Sequence, residues 1–243
     1  IEITGFVDAV AEKRVKTAEE ILNAFIKYHP HLGHSLTPHS PYSVSKTLFN
    51  LLNEKTAGQI ISIHNQEASA ENELYQQKTG ALIELYKDLG INLETFTATG
   101  KTSMQSWSPY FNRGQKVISV HNTFTSEDDI KTCDLHMAYC ICINANLYIE
   151  NSLPPIEMLM KNDCFIVLGT DSYASNHSLN IMEEINSIQK HFPTVPLATI
   201  LQWATINGAK ALGIENRFGS FEKGKIPGLV LIDVVNGLSK KMV

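Results

Sequence analysis

The segment QIISIHNQE, residues 59–67, is the most informative stretch of the chain. Isoleucine fills three of its first five positions, which is typical of a strand buried in a parallel sheet. The run ends in polar residues that include His64 and Glu67. Because active sites of parallel α/β folds form at the carboxyl ends of the strands, the segment predicts a buried strand with chemical groups at its end.

Similar apolar runs alternate with helical patterns along most of the chain. The predicted strands are Ile1–Val7, Gly33–Thr37, Gln59–Ile63, Lys116–Val120, His136–Cys142 and Cys164–Leu168. The longer predicted helices begin at Ala11, at Ser69 (running to Leu89), at Leu179 and at Leu197 (running to Leu212). This alternation predicts a parallel sheet covered by helices, either an open doubly wound sheet or a (β/α) barrel.

Composition limits the classes of function. The 243 residues carry 20 Lys+Arg and 25 Asp+Glu, a formal net charge of −5, which argues against a general nucleic-acid binder. No apolar run approaches the roughly 18 residues that a membrane-spanning helix needs. With four cysteines and no visible secretory signal, we expect buried thiols and a cytoplasmic protein.

Polar residues recur just after five consecutive predicted strands. They are His39, His64 with Glu67, His121, Asn144 with Asn146, and Asp171. One such histidine would usually be structural or solvated, but this repetition at one edge of a sheet is difficult to obtain by chance. Imidazole and carboxylate groups together suit zinc or iron, and a metal-bound water of lowered pKa is a nucleophile at neutral pH. His64 and Asp171 are the clearest ligand candidates, with His121 as a third.

Several motifs, in this order, resemble the amidohydrolase superfamily, and within it the branch of cytosine and guanine deaminases and triazine chlorohydrolases. They are PHSPYS at residues 38–43, HNQE at 64–67, HN at 121–122, CINAN at 142–146, GTDS at 169–172, ATINGAKALG at 204–213 and GSFEKGK at 219–225. Each motif is only moderately specific, but all seven in order are strong evidence for the resemblance.

The resemblance implies a (β/α)8 TIM barrel of the metal-dependent hydrolase type with one divalent metal, zinc before iron. Glu67 would be the acid/base that protonates a ring nitrogen, and Asp171 would be a metal ligand and base. His64 would bind the metal, and His121 would contact the metal-bound water and the substrate. The substrate-binding candidates are His39, Asn144 and Asn146.

The sequence also departs from the family pattern. The His-x-His pair that ends the family's first strand is absent, and residue 1 is Ile rather than Met. We therefore expect a partial barrel over residues 1–215, with about strands 3–8, followed by a segment of a small β-sandwich over residues 216–243. The first two strands and most of the sandwich would then lie upstream of this sequence.

The leading hypothesis is an aminohydrolase in which metal-bound hydroxide attacks a purine, pyrimidine or pterin-like heterocycle and ammonia leaves. The alternatives are hydrolysis of another C–N or C–Cl bond, or a metal-free barrel fragment that serves as a scaffold. The expected partner is a small-molecule substrate rather than nucleic acid or membrane, and a homodimer is compatible with the sequence. We expect the loop over Ile91–Asn112 to border the site, with Trp107 and Tyr110 as packed anchors more than as platforms for a substrate ring.

Overall fold

The structure, a computed structural model, describes residues 1–94, 96–233 and 235–242. The chain forms two compact units, Ile1–Met137 and Ala138–Val243. Among the described residues, no helix combines the length and apolar character needed to cross a bilayer.

The first unit contains short parallel strands with helices between them. Its strands are β1 (Glu2–Ile3), β2 (Thr37–Pro38), β3 (Ile60–Asn65) and β4 (Lys116–His121). Its helices are α1 (Ala11–Tyr28), α2 (Lys46–Lys55), α3 (Ser69–Gln77), α4 (Ala81–Asp88), α5 (Ser103–Trp107) and α6 (Glu127–Thr132), with single 3-10 turns at Asp8–Val10, Pro41–Ser43 and Ser108–Tyr110. Its core includes Leu48, Leu52, Ile61, Ile63, Leu74, Trp107 and Phe111.

The strands of this unit run in parallel, as the sequence predicts. β1 pairs with β2, and β3 pairs with β4 along its whole length. The backbone N–H of Ser62 donates to Thr37 Oγ1 at 2.8 Å, and that of His64 donates to the carbonyl of His39 at 2.9 Å. These two bonds hold the end of β2 beside β3, so the residues that follow the two strands lie next to each other.

Three predicted elements of the first unit are shorter than expected. The strand predicted over Ile1–Val7 is limited to β1, and beyond it Gly5 makes one parallel bridge by exchanging backbone hydrogen bonds with Ser43 and Ser45. The strand predicted over Gly33–Thr37 is limited to β2, which pairs with β1 over Thr37 and Pro38.

The long helix predicted from Ser69 to Leu89 is broken into α3 and α4. Lys78 adopts a left-handed backbone (φ 56°), and its amine donates to the carbonyls of Leu93 and Phe96 at 2.7 and 2.8 Å. Gly80, with a φ of 91°, then stands before the first residue of α4, so the chain turns between the two helices although the apolar periodicity continues across them.

The second unit combines a parallel strand pair, several helices and a separate hairpin. Its elements are β5 (Met137–Ile141, beginning at the last residue of the first unit), α7 (Ile143–Glu150), α8 (Ile156–Lys161), β6 (Phe165–Leu168), α9 (Ile181–His191), α10 (Leu197–Gln202), α11 (Gly208–Ala211), β7 (Val230–Asp233) and β8 (Leu238–Lys241). β5 and β6 are parallel, whereas β7 and β8 form an antiparallel hairpin, in agreement with the turn-rich sequence before them.

The helix predicted over residues 197–212 is present but not uniform. A π-helical turn over Trp203–Asn207 separates α10 from α11. Asn207 donates from Nδ2 to the carbonyl of Ile166 in β6 at 2.9 Å, which ties the turn to the strand. Trp203 is buried, as expected for a core residue.

The cysteines form no disulfide, and only two of the four are buried as expected, because Cys133 and Cys164 are partly exposed. All four thiols are free, and Cys140 and Cys142 are buried. Both sulfurs face Gly169, because a Cβ at that position would lie 2.8 Å from Cys140 Sγ and 3.1 Å from Cys142 Sγ. The glycine therefore provides room for the thiol of Cys140 in β5 and for that of Cys142, which follows the strand.

Glu71 is the most unusual buried group of the first unit. It lies in the first turn of α3, is fully buried, and accepts a hydrogen bond from Ser103 Oγ at 3.0 Å. Burial raises the pKa of its carboxyl group to about 7, against an ordinary value of 4.5.

Replacing Gly169 with Ala is expected to lower the free energy of unfolding by roughly 1–3 kcal/mol, because the added methyl group overpacks against Cys140 and Cys142. Urea unfolding of the variant measures this. Gly33→Ala is the control, since a Cβ there meets nothing within 4 Å, and its effect should stay within about 0.5 kcal/mol. Equal effects of the two substitutions would contradict the packing argument.

Glu71 is expected to make stability fall as the pH rises from about 5 to about 7. The folded carboxyl group keeps its proton up to about pH 7, whereas the unfolded one loses it near 4.5, so the folded state binds more protons in this window. Relative to Glu71→Gln, the wild type should lose at most about 1.4 kcal/mol per pH unit. Urea midpoints of both proteins across this range test the expectation; a constant difference would oppose it.

Candidate active site

Three imidazole rings stand side by side at the carboxyl ends of β2, β3 and β4. The ring centroids of His39 and His64 lie 4.8 Å apart, and those of His64 and His121 lie 5.3 Å apart. His121 is the last residue of β4 and pairs in register with Asn65 of β3. The structure therefore brings together the three histidines that follow successive strands in the sequence.

The hydrogen bonding of His64 fixes its tautomer. Its Nδ1 lies 2.8 Å from the carbonyl oxygen of His39, and a carbonyl can only accept, so Nδ1 carries the proton. The lone pair is therefore on Nε2. A ring N–H bound to a backbone carbonyl is the usual support of a metal-binding histidine, so His64 is oriented as a ligand would be.

Glu2 is a carboxylate at this edge that the sequence analysis did not identify. Its Oε2 accepts a hydrogen bond from His39 Nδ1 at 3.0 Å, and its Oε1 lies 3.9 Å from His64 Nδ1. The bond from His39 is the main reason that the pKa of Glu2 lies below its ordinary value. In the sequence, the charge of Glu2 between the apolar residues Ile1 and Ile3 was the feature that could have indicated it.

Side chains at this edge are of the types that hold a divalent metal, although the Glu2 carboxylate already accepts a hydrogen bond from His39. Glu2, His39 and His64 each offer a ligand atom, and these atoms lie within 4.8 Å of one another. Imidazole nitrogens together with carboxylate oxygens are ligands that zinc and iron accept.

Glu67 and His121 form the second chemical pair of the first unit. Glu67 Oε1 lies 3.3 Å from His121 Nε2, with the His121 side chain almost fully buried and that of Glu67 only 18% exposed. A carboxylate and an imidazole at this distance, shielded from bulk water, can hold and exchange a proton.

Backbone strain accompanies these residues. His121 (φ 73°), Asn122 (φ 57°) and Gln66 (φ 46°) all lie in the left-handed region, which non-glycine residues rarely adopt. Each such conformation costs roughly 1–3 kcal/mol and persists only where neighbouring bonds enforce it. Strained residues of this kind cluster at functional sites.

A buried amide network enforces the strained backbone. Asn65 accepts a hydrogen bond from Trp107 Nε1 at 2.7 Å and donates to Asn122 Oδ1 at 3.2 Å. Asn122 in turn donates from Nδ2 to the carbonyl of Ser119 at 2.8 Å. The network joins the ends of β3 and β4 to α5, and it confirms the expectation that Trp107 is a packed anchor, since none of its surface is exposed.

Glu71 holds the loop that follows β3, residues 66–68, by hydrogen bonds to its backbone. Its Oε2 accepts the backbone N–H of Gln66 at 3.0 Å, and its Oε1 accepts that of Glu67 at 2.9 Å. Glu71 was not predicted as a site residue, because a glutamate in the first turn of a helix is ordinarily exposed to water and stabilised by the helix dipole.

Asp171 lies in the second unit, in the turn after β6. Its backbone is left-handed (φ 56°), and its carboxylate accepts a hydrogen bond from Ser175 Oγ. The preceding carbonyl, that of Thr170, accepts from Asn176 Nδ2 at 2.7 Å. The turn after the strand is thus held by its own side chains, and the predicted roles of Asp171 stay predictions.

Asn144 and Asn146 follow β5, as the sequence predicted, and lie in the first turn of α7. Asn144 donates to Glu184 from its backbone N and from Nδ2, at 3.1 and 3.0 Å, and accepts from Ser187 Oγ at 2.6 Å. These bonds tie Asn144 to α9. Asn146 is fully buried. Substrate binding by either residue stays a prediction.

Glu184 has the same position in the second unit that Glu71 has in the first. It lies in the first turn of α9, has no exposed surface, and accepts a further hydrogen bond from Asn176 Nδ2 at 2.7 Å. Burial is the main cause that raises the pKa of its carboxyl group above the ordinary value.

Solved structures that superpose on this chain include deaminases and hydrolases. The aminofutalosine deaminase of Helicobacter pylori in complex with methylthio-coformycin superposes with a TM-score of 0.75 at 22% identity, covering 94% of this chain and 56% of that one. An adenosine deaminase from Xanthomonas campestris with bound zinc gives a TM-score of 0.64 at 24% identity, over 82% of this chain and 43% of that one. These likenesses confirm the predicted α/β fold of the metal-dependent hydrolase barrel type.

Curated relatives point to the same group. A 5-methylthioadenosine/S-adenosylhomocysteine deaminase from Caldanaerobacter subterraneus subsp. tengcongensis is 28% identical over 237 residues, which are 93% of this chain and 50% of the relative. The chain thus spans about half the length of the curated relatives it matches. The family model described as "Amidohydrolase family" matches residues 1–243. The strand-end histidines, the fold and this match agree, and the chain belongs to the amidohydrolase family.

Proposed function

We propose that this chain carries catalytic residues of a metal-dependent aminohydrolase that removes an amino group from a purine-type heterocycle. One observation carries the proposal: the shielded pair of Glu67 and His121, 3.3 Å apart, stands beside the imidazole of His64. A proton-transferring carboxylate next to metal-ligating groups is what hydrolysis of an aromatic C–N bond requires.

The relatives support a purine nucleoside as the substrate class. The sequence alone left purines, pyrimidines and pterins open. The first relatives are named as deaminases of 5-methylthioadenosine and S-adenosylhomocysteine or of 5'-deoxyadenosine. We therefore propose a small-molecule adenosine derivative as the substrate. Cytoplasmic location and a homodimer remain predictions.

We propose that His64 and Asp171 hold one divalent metal, with His121 as the third candidate. Zinc is preferred to iron, because the donors are imidazole and carboxylate groups and a neighbouring structure carries zinc. The metal would lower the pKa of a water molecule and so supply a nucleophile near neutral pH. The assignment of Asp171 rests on the family motif and on its place after a strand.

The remaining roles belong to side chains of the chain itself. The Glu67 carboxyl group would deliver a proton to the ring nitrogen beside the carbon that is attacked. Asp171, as the base, would pass the remaining proton of the attacking oxygen to the amino group, which leaves as ammonia when the C–N bond breaks. His121 would hydrogen-bond to the attacking oxygen and to the substrate. His39, whose Nδ1 donates to Glu2, would present its other ring nitrogen to the substrate, and Asn144 and Asn146 are kept as substrate-binding candidates.

We further propose that residues 1–215 are the barrel portion and that residues 216–243 belong to a β-sandwich. The antiparallel hairpin of β7 and β8, which does not continue the alternation of parallel strands and helices, supports this division.

Glu67→Gln is expected to reduce ammonia release from 5'-methylthioadenosine by about 10²–10⁴-fold, because the amide cannot deliver a proton. The whole gene product, loaded with zinc, is assayed for ammonia. Glu73→Gln, an exposed position on α3, is the control and should keep wild-type activity. Full activity in Glu67→Gln would reject the role of Glu67, and chloride release from a chlorotriazine without ammonia release from any purine would reject the deaminase.

His64→Ala is expected to reduce tightly bound metal to below about a tenth of the wild-type content, because a zinc site depends on its complete ligand set. Elemental analysis after dialysis gives the metal content. Glu67→Gln should retain its metal, and His136→Ala, an exposed histidine, should match the wild type. An unchanged metal content in His64→Ala would remove His64 from the ligand set.

A further inference from the structure

We infer that Glu71 is a positioning residue that fixes the carboxylate of Glu67 for proton transfer. The inference rests on the proposed function, since it needs Glu67 to be the acid/base. It goes beyond that proposal because Glu71 lies outside the seven motifs and outside the set of strand-end residues.

Glu71 contacts the backbone of Gln66 and Glu67 through two hydrogen bonds. Its two oxygens accept the backbone N–H groups of Gln66 and Glu67 at 3.0 and 2.9 Å. Two bonds to consecutive peptide groups fix both the place and the orientation of the backbone from which the Glu67 side chain extends. Ser103 Oγ, at 3.0 Å from Oε2, holds the supporting carboxylate in turn.

The same loop needs this support because of its backbone conformation. Gln66 is left-handed (φ 46°), a conformation that a non-glycine residue keeps only under constraint. The Gln66 side chain is also held, since it donates to Asn72 Oδ1 at 3.0 Å and to Asp129 Oδ2 at 3.1 Å and accepts from Thr125 Oγ1 at 2.6 Å. Glu71 restrains the backbone of the same residue, because it accepts the Gln66 N–H.

A carboxylate is the group that suits the position. Three donors converge on it, and above about pH 7 the ionised carboxylate accepts at both oxygens, whereas a glutamine would turn an NH₂ group toward one of the N–H donors. Aspartate is one methylene shorter and would not reach both peptide groups from the same Cα. A fully buried acid is costly, and packing alone would be served better by an apolar residue.

The test compares Glu71→Gln with Glu73→Gln in the zinc-loaded whole gene product. Glu71→Gln should lower kcat for deamination about 10–100-fold, as expected for a misplaced catalytic group, with KM within about threefold and metal content unchanged. Wild-type kcat, a KM that changes as much as kcat, or a loss of kcat that only follows the loss of folded protein, would overturn the inference.

Hydrogen–deuterium exchange of the peptide spanning residues 65–68 supplies a readout independent of activity. Glu71→Gln should accelerate exchange of the Gln66 and Glu67 amides at least tenfold, and Glu73→Gln should not. Unchanged exchange would overturn the inference. If no purine releases ammonia from the wild type, the proposed function fails, and faster exchange still shows that Glu71 holds the loop.

Ser103→Ala covers the case in which Glu71→Gln does not fold. It removes only the hydroxyl that holds Oε2 of Glu71, and it should lower kcat roughly three- to tenfold with faster exchange of the same amides. A Ser103→Ala protein with wild-type kcat and exchange, beside an unfolded Glu71→Gln, would assign Glu71 to stability alone.

Discussion

Polar groups that end a buried strand have left water but must still be hydrogen-bonded, and the first unit is arranged around this requirement. Asn65, Gln66 and Asn122 have no exposed surface, yet each finds partners in neighbouring elements. Trp107 of α5 supplies an N–H to this group, and Glu71 of α3 supplies acceptors. The helices therefore do more than cover the strands, because their side chains complete the hydrogen bonding at the edge where the histidines stand.

Both units use the same device to hold a loop. A buried glutamate in the first turn of a helix accepts donors from a segment near a strand end: Glu71 binds the peptide groups after β3, and Glu184 binds Asn144 and Asn176. The first turn of a helix favours a negative charge, which offsets part of the cost of burying it. Desolvation still dominates, and it raises the pKa of both carboxyl groups.

The sequence was informative where the type of each residue already indicates its structure or chemistry. Apolar strands that end in His64 and His121 predicted both the fold and the meeting of the imidazoles, because strand ends share an edge. The sequence did not reveal features that depend on hydrogen-bond partners far away along the chain. Glu71 accepts from Ser103, which lies 32 residues away, whereas Glu73 of the same helix is exposed. Glu2 was overlooked because its partner, His39, is remote in sequence.

The left-handed backbone of His121 has an evolutionary consequence. Glycine or asparagine would adopt φ 73° at lower cost, so either would relieve strain at this position. Neither could replace an imidazole facing Glu67. Under the proposed role of His121, selection for a more stable fold and selection for the reaction favour different residues at this one site. A family member with glycine or asparagine here would have exchanged the imidazole for a relaxed backbone.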